Sequence, residues 1–119
     1  MADLTIQETS EGGLAASYVA AAAAGDAVLN LGGDVILHVR NGDASSHTVT
    51  VTAQATSREV AGFGAMTKGD AAVAVPAGND RFIGPFPTGA FNDANGKVQI
   101  AYDAVTAMTV AAIRVKRAP

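Results

Sequence analysis

A chain of 119 residues with a formal net charge of -3 has room for one domain and lacks the basic excess that direct nucleic-acid binding requires. The absence of cysteine excludes disulfides and thiolate metal sites. Its 49% apolar content comes largely from Ala and Val, with 5% aromatics and no Trp, which makes for a lightly filled core suited to a thin sandwich leaning on neighbouring subunits.

The first residues are polar and acidic, with Asp3, Glu8 and Glu11 around the apolar Leu4 and Ile6. They read as a flexible arm over residues 1–13, ahead of a domain spanning 14–115 and a basic tail at 116–119. Leu14 to Ala24 is too short to cross a bilayer and follows acidic rather than basic residues, so it fits neither a membrane span nor a signal peptide, and a soluble, cytosol-made protein is expected. Within it, Tyr18 to Ala24 has the composition of a helix ending at Gly25, although Val19 and the shortness of the segment leave extended structure open.

Val35, Leu37 and Val39 alternate with Ile36, His38 and Arg40. The turn-rich Asn41-Gly-Asp-Ala-Ser-Ser46 then leads to Thr48-Val-Thr-Val-Thr52, where Val49, Val51 and Ala53 face a core. Together these predict a hairpin pairing Val39 with Val49, which sends His38 and His47 to opposite sides of a sheet and denies them a shared metal. Gln54 to Asp70 is too broken by glycine for regular structure and reads as a long loop, functional or disordered, carrying Val60, Phe63 and Met66. Ala71 to Val75 is a strand stopped by Pro76, and Ala77-Gly-Asn-Asp80 turns the chain into Arg81 to Phe86. Val98, Ile100 and Tyr102 share a face of a strand that begins after the turn Asn95-Gly96. The last strand, Met108 to Val115, places Thr109, Ala111, Ile113 and Val115 on one face and Val110, Ala112 and Arg114 on the other. Roughly seven or eight short strands with regular turns predict an all-β, single-domain antiparallel β-sandwich, with a jelly roll as one variant.

Catalytic chemistry finds little footing. No Gly-x-Ser-x-Gly elbow stands near any serine, and an enzymatic pocket would have to be assembled from Asp93, His38 and Arg81 without support from spacing. Asp93-Ala-Asn-Gly96 lacks the later acidic ligands of a calcium loop, and Gly89 to Lys97 has the wrong spacing for a phosphate loop. Arg81 reads as a strand-end residue bridging a turn carboxylate, and Asn92 as a turn former. Neither cofactor nor metal is expected.

The blocks Val75-Pro-Ala-Gly78, Arg81-Phe-Ile-Gly-Pro-Phe86, Phe91-Asn-Asp-Ala-Asn-Gly-Lys-Val98 and Val110-Ala-Ala-Ile-Arg114 resemble small proteins from the structural-gene clusters of tailed bacteriophages. The similarity reaches back to Gly25-Asp26 and Leu37-His-Val-Arg-Asn-Gly42 and covers most of residues 25–114, but neither the acidic start nor the 54–70 segment. It implies a virion component, most economically a decoration, or cement, protein on the capsid surface. Such a protein binds the major capsid protein and itself, commonly as a trimer, with no membrane and no direct nucleic-acid partner. The same parts suit a tail-tube or head-to-tail connector subunit, or a displayed glycan- or receptor-binding module. Candidate capsid or subunit contacts are Leu4, Ile6, Val60, Phe63, Met66, Arg114, Lys116 and Arg117, the last three forming a basic end opposite in charge to the start.

Overall fold

The computed structural model describes residues 2–54 and 57–116. In chain order the strands are β1 (Ala2–Asp3), β2 (Ile6–Glu8), β3 (Val19–Ala20), β4 (Asp26–Leu29), β5 (Val35–Asn41), β6 (His47–Val51), β7 (Ser57–Val60), β8 (Gly64–Thr67), β9 (Ala71–Val75) and β10 (Asp80–Ile83). A one-turn helix α1 (Thr88–Phe91), β11 (Lys97–Tyr102) and β12 (Met108–Arg114) complete the set. They form an all-β sandwich. One sheet runs β1-β4-β11-β6-β9, the other β10-β5-β12-β2 with β3 beside the first half of β12, and β7-β8 make a two-stranded sheet of their own.

Period-two alternation builds the core. In β5, Val35, Leu37 and Val39 turn inward, and in β6 Val49 and Val51 do, while Ile36, Thr48 and Thr50 point away. Val28, Val75, Val98 and Ile100 complete the inner face of the first sheet, and Met108, Val110 and Ala112 that of the second. Each such buried Val or Leu contributes roughly 1.5–3 kcal/mol of transfer free energy. Phe86 and Phe91 close one end of this aliphatic layer edge-to-face, with ring centroids 5.6 Å apart. The strand β12 is central in its sheet, so Ala111 and Ile113 on its outer face are buried as well.

The pairing differs from the expected hairpin: Val39 pairs with Arg81 and Val110, and Val49 with Val73 and Tyr102, not with each other. β5 and β6 lie in opposite sheets, as do β9 and β10, so both connections cross the sandwich. The buried Asn41 fastens the two crossings together: its amide donates to the Ser45 and Val75 carbonyls at 2.8 and 3.0 Å, and its Oδ1 accepts the Asp43 N–H. Side-chain alternation specifies which face a strand buries but not which neighbour it takes.

The start of the chain is not an arm. β1 pairs parallel with β4 and β2 parallel with β12, so residues 2–8 join both sheets along one side and make the sandwich mixed rather than purely antiparallel. The alanine-rich segment Tyr18 to Ala24, whose composition suited a helix but left extended structure open, is extended at β3, which pairs with β12, and turns at Gly25. Gly25 sits at φ +96° with the Ile100 carbonyl oxygen 2.7 Å from where a Cβ would be, so glycine is required for this approach. Two further readings are corrected. Arg81 donates to the Asp80 backbone carbonyl rather than to a carboxylate. Asn92 exchanges amide hydrogen bonds with Asn30 across the sheet end.

Candidate interaction surfaces

The segment expected to be irregular is a hairpin. Ser57↔Thr67 through Val60↔Gly64 pair antiparallel, and the turn is closed by the Phe63 N–H donating to the Val60 carbonyl at 2.9 Å. The glycines that obscured it supply the tip, since Gly62 and Gly64 both adopt positive φ, at +81° and +82°. Its base is held by Asp70, whose carboxylate accepts the Ala53 N–H at 2.8 Å, and by the Lys68 ammonium, 5.4 Å from the centre of the Phe91 ring. Of the candidate contacts, Val60, Phe63 and Met66 are brought together here. Phe63 is 81% exposed, Met66 55% and Val60 38%.

The other candidates fare differently. Leu4 is buried in the core, which withdraws it from a partner, and Ile6 packs half-buried against it. Two acidic residues of the start are paired within the chain, one of them to the basic end. Glu8 on β2 pairs with Arg114 on the adjoining β12, raising the already high guanidinium pKa, and Asp3 pairs with Lys97 at 3.0 Å. Lys116 is exposed, its N–H donating to the Thr9 hydroxyl, and Arg117 lies outside the described residues.

A second surface is the outer face of the β10-β5-β12-β2 sheet, across which residues 9–18 run. His38 stands at its centre between Tyr18, whose hydroxyl is 2.5 Å from Nδ1, and Asp80, whose carboxylate is 2.7 Å from Nε2. In the neutral ring this geometry assigns the N–H to Nε2, donating to Asp80, while Nδ1 accepts from Tyr18. Phe82 stacks flat on the imidazole at 4.0 Å, and the Arg40 guanidinium lies 4.8 Å from the centre of the Tyr18 ring. The cluster clasps the covering segment to the sheet. Beside it runs an open apolar groove of about 440 Å³, lined by Leu14, Tyr18, Ile36, Phe82, Ile113 and Val115. Phe82 and Val115 are 66% and 64% exposed, so the groove floor is continuous with uncovered apolar surface.

The residues of the imagined enzymatic pocket are not assembled into one. His38 belongs to this clasp and Arg81 binds its neighbour's carbonyl, whereas Asp93 lies at the turn before β11 in the other sheet. His47, also in that other sheet, is held by Asp43 at 2.8 Å with Asp103 3.6 Å away. Among the described residues no group of three or more His, Asp or Glu side chains is placed to hold a metal ion.

Asp93 acts structurally. Its carboxylate accepts the backbone N–H of Lys97, the Gln99 amide and the N–H of Asn95, and these bonds hold its pKa below 3.8, the Lys97 N–H contributing most. A depressed folded pKa gives stability that is present above the unfolded value and lost as pH falls through the folded one. Asp93→Asn is therefore expected to flatten the decline in urea midpoint between about pH 5 and about pH 2.5. An unchanged acid limb would remove Asp93 from the account.

Compared with known proteins, the chain matches no family model, no curated protein and no solved structure at a significant level.

Proposed function

We propose that this chain is a structural subunit of a tailed-bacteriophage virion, a capsid decoration protein that binds the major capsid protein and its own copies and stabilises contacts between capsomers. The observation that carries the reading is the β7-β8 hairpin, with Val60, Phe63 and Met66 exposed on a sheet of its own. A lone two-stranded hairpin is at best marginally stable in water, and an uncovered aromatic tip adds no core energy to the domain. Both features make sense if a neighbour covers them on assembly. The sandwich supplies the rigid body, and the resemblance of its strand and turn blocks to phage virion proteins supplies the context.

The test is co-sedimentation of the purified protein with expanded, undecorated capsids of its own phage, alongside the mass of the free protein. Saturable binding at a fixed ratio to the major capsid protein is the expected result. No binding, with the free protein stacking into rings or tubes, would move the assignment to a tail-tube or connector subunit. Binding to soluble glycans in place of shells would make it a displayed recognition module.

A further inference from the structure

The first large sheet ends in β1 and β9, the second in β10 and β2, with β3 beside β12. An open sheet edge presents unpaired N–H and C=O groups, and proteins blunt such edges by shortness, charge or proline. β1 and β3 are two residues long, β2 is three and carries Glu8, and β10 carries Asp80 and Arg81. β9 has none of these protections. It is a five-residue strand, Ala71-Ala-Val-Ala-Val75, without charge, proline or glycine, and among the described residues it pairs with β6 alone.

The direction of its backbone groups follows from β6. Successive residues of an antiparallel strand aim those groups at opposite neighbours. The Thr48 carbonyl accepts the Asp103 N–H at 3.1 Å, and just past the strand the Thr52 N–H donates to Gln99 at 3.0 Å, both on the β11 side. Val49 and Val51 therefore serve β9, through Val73 and Ala71. Ala72 and Ala74 are left aiming N–H and C=O away from the sheet, and Pro76 ends the row because it has no N–H to offer.

We infer that β9 of one copy pairs antiparallel with β9 of a second about a two-fold axis through Val73, joining their first sheets into one continuous sheet. The strand is its own complement in this register. Ala72 and Ala74 exchange N–H···O bonds with Ala74 and Ala72 of the other copy, Val73 meets Val73 as the close, non-hydrogen-bonded pair, and Ala71 opposes Val75. No like charges face each other over this span, and a β-branched pair lies at its centre. The faces agree as well. Ala71 and Val73 are partly buried at the margin of the core, and the pairing covers that margin with the same apolar side chains. Such an isologous contact closes at a dimer, where the phage resemblance implies a trimer. The inference stands on the edge geometry and goes beyond the decoration reading, since it uses neither the hairpin nor the capsid.

The chain has no cysteine, so Val73→Cys places its sole thiol on the axis, with Leu31→Cys, 73% exposed and away from this edge, as control. Mild oxidation is expected to join Val73→Cys chains in severalfold higher yield than Leu31→Cys chains, and sedimentation velocity to show the unaltered protein in a monomer–dimer equilibrium. Ala74→Pro removes an outward N–H that β6 does not use, so the fold and its urea midpoint are retained while each copy loses a donor. Dimer affinity then falls by about tenfold or more, and the Val73→Cys yield falls with it. The Val73→Cys yield decides alone should Ala74→Pro fold poorly. A yield no greater than the control, or a dimer indifferent to Ala74→Pro, overturns the inference. So does a protein that stays monomeric while Ala74→Pro weakens capsid binding, which gives the edge to a strand of the capsid protein. Dimerisation without capsid binding removes only the decoration role, and capsid binding by a monomer removes only the self-pairing.

Discussion

On the proposed decoration role, Phe63→Ser combined with Met66→Ser is expected to leave the sandwich folded and to weaken capsid association by about a thousandfold, because each side chain forfeits about 2 kcal/mol of apolar burial and about 1.4 kcal/mol is a factor of ten. The fold is expected to survive because neither residue belongs to the core, and the hairpin that carries them pairs with neither large sheet among the described residues. Substitutions at such exposed positions usually shift stability by less than about 0.5 kcal/mol. The comparison that gives the experiment its meaning is Leu31→Ser, since Leu31 is 73% exposed but lies outside both the hairpin and the groove. Co-sedimentation isotherms and urea midpoints on the variants distinguish the possibilities. If the hairpin double variant binds shells as well as Leu31→Ser does, the hairpin is not the capsid contact and the decoration reading loses its main support.

Much of the framework was legible in the sequence, because the strands in question bury one face and show it. Val35, Leu37 and Val39, then Val49 and Val51, then Val98 and Ile100 are inward as their alternation dictates. Partner choice was not legible, since alternation leaves the neighbour open and the decisive contacts are long-range: the side chain of Asn41 reaching Val75, or β2 lying parallel to the end of β12. Strands of two or three residues such as β1 and β3 are too short to display a period, and at Val19–Ala20 pairing with β12 overrides the helical preference of alanine. The apolar residues Val60, Phe63 and Met66 of the 54–70 segment are exposed on the hairpin, while its glycines, read as breakers, turned out to shape the hairpin tip. The clasp of Tyr18, His38 and Asp80 had no signal at all, because its members are 20 and 42 residues apart in sequence and meet only through β5, β10 and the covering segment.

The second large effect concerns a buried pair in the first sheet. Asp26 is 1% exposed, and its carboxylate accepts the Tyr102 hydroxyl at 2.7 Å and the Ala22 N–H at 3.3 Å through one oxygen, while Oδ1 has no hydrogen-bond partner among the described residues. Tyr102→Phe removes the stronger bond from a carboxylate that already has an unsatisfied oxygen and is expected to cost about 2 kcal/mol. Asp26→Val strands the phenol instead and is destabilising in its turn. The double variant Asp26→Val with Tyr102→Phe removes both polar partners together and should cost well under the sum, leaving a coupling of about 2 kcal/mol in a double-mutant cycle. Alkaline behaviour gives an independent readout. Burial, and then the bond to Asp26, raise the Tyr102 pKa far above 10.0, so the contact contributes stability below that pH and loses it as pH climbs towards the folded value. The unaltered protein therefore weakens in base by a component that Tyr102→Phe lacks. Additive costs in the cycle, together with identical alkaline limbs, would show that Asp26 finds its compensation elsewhere.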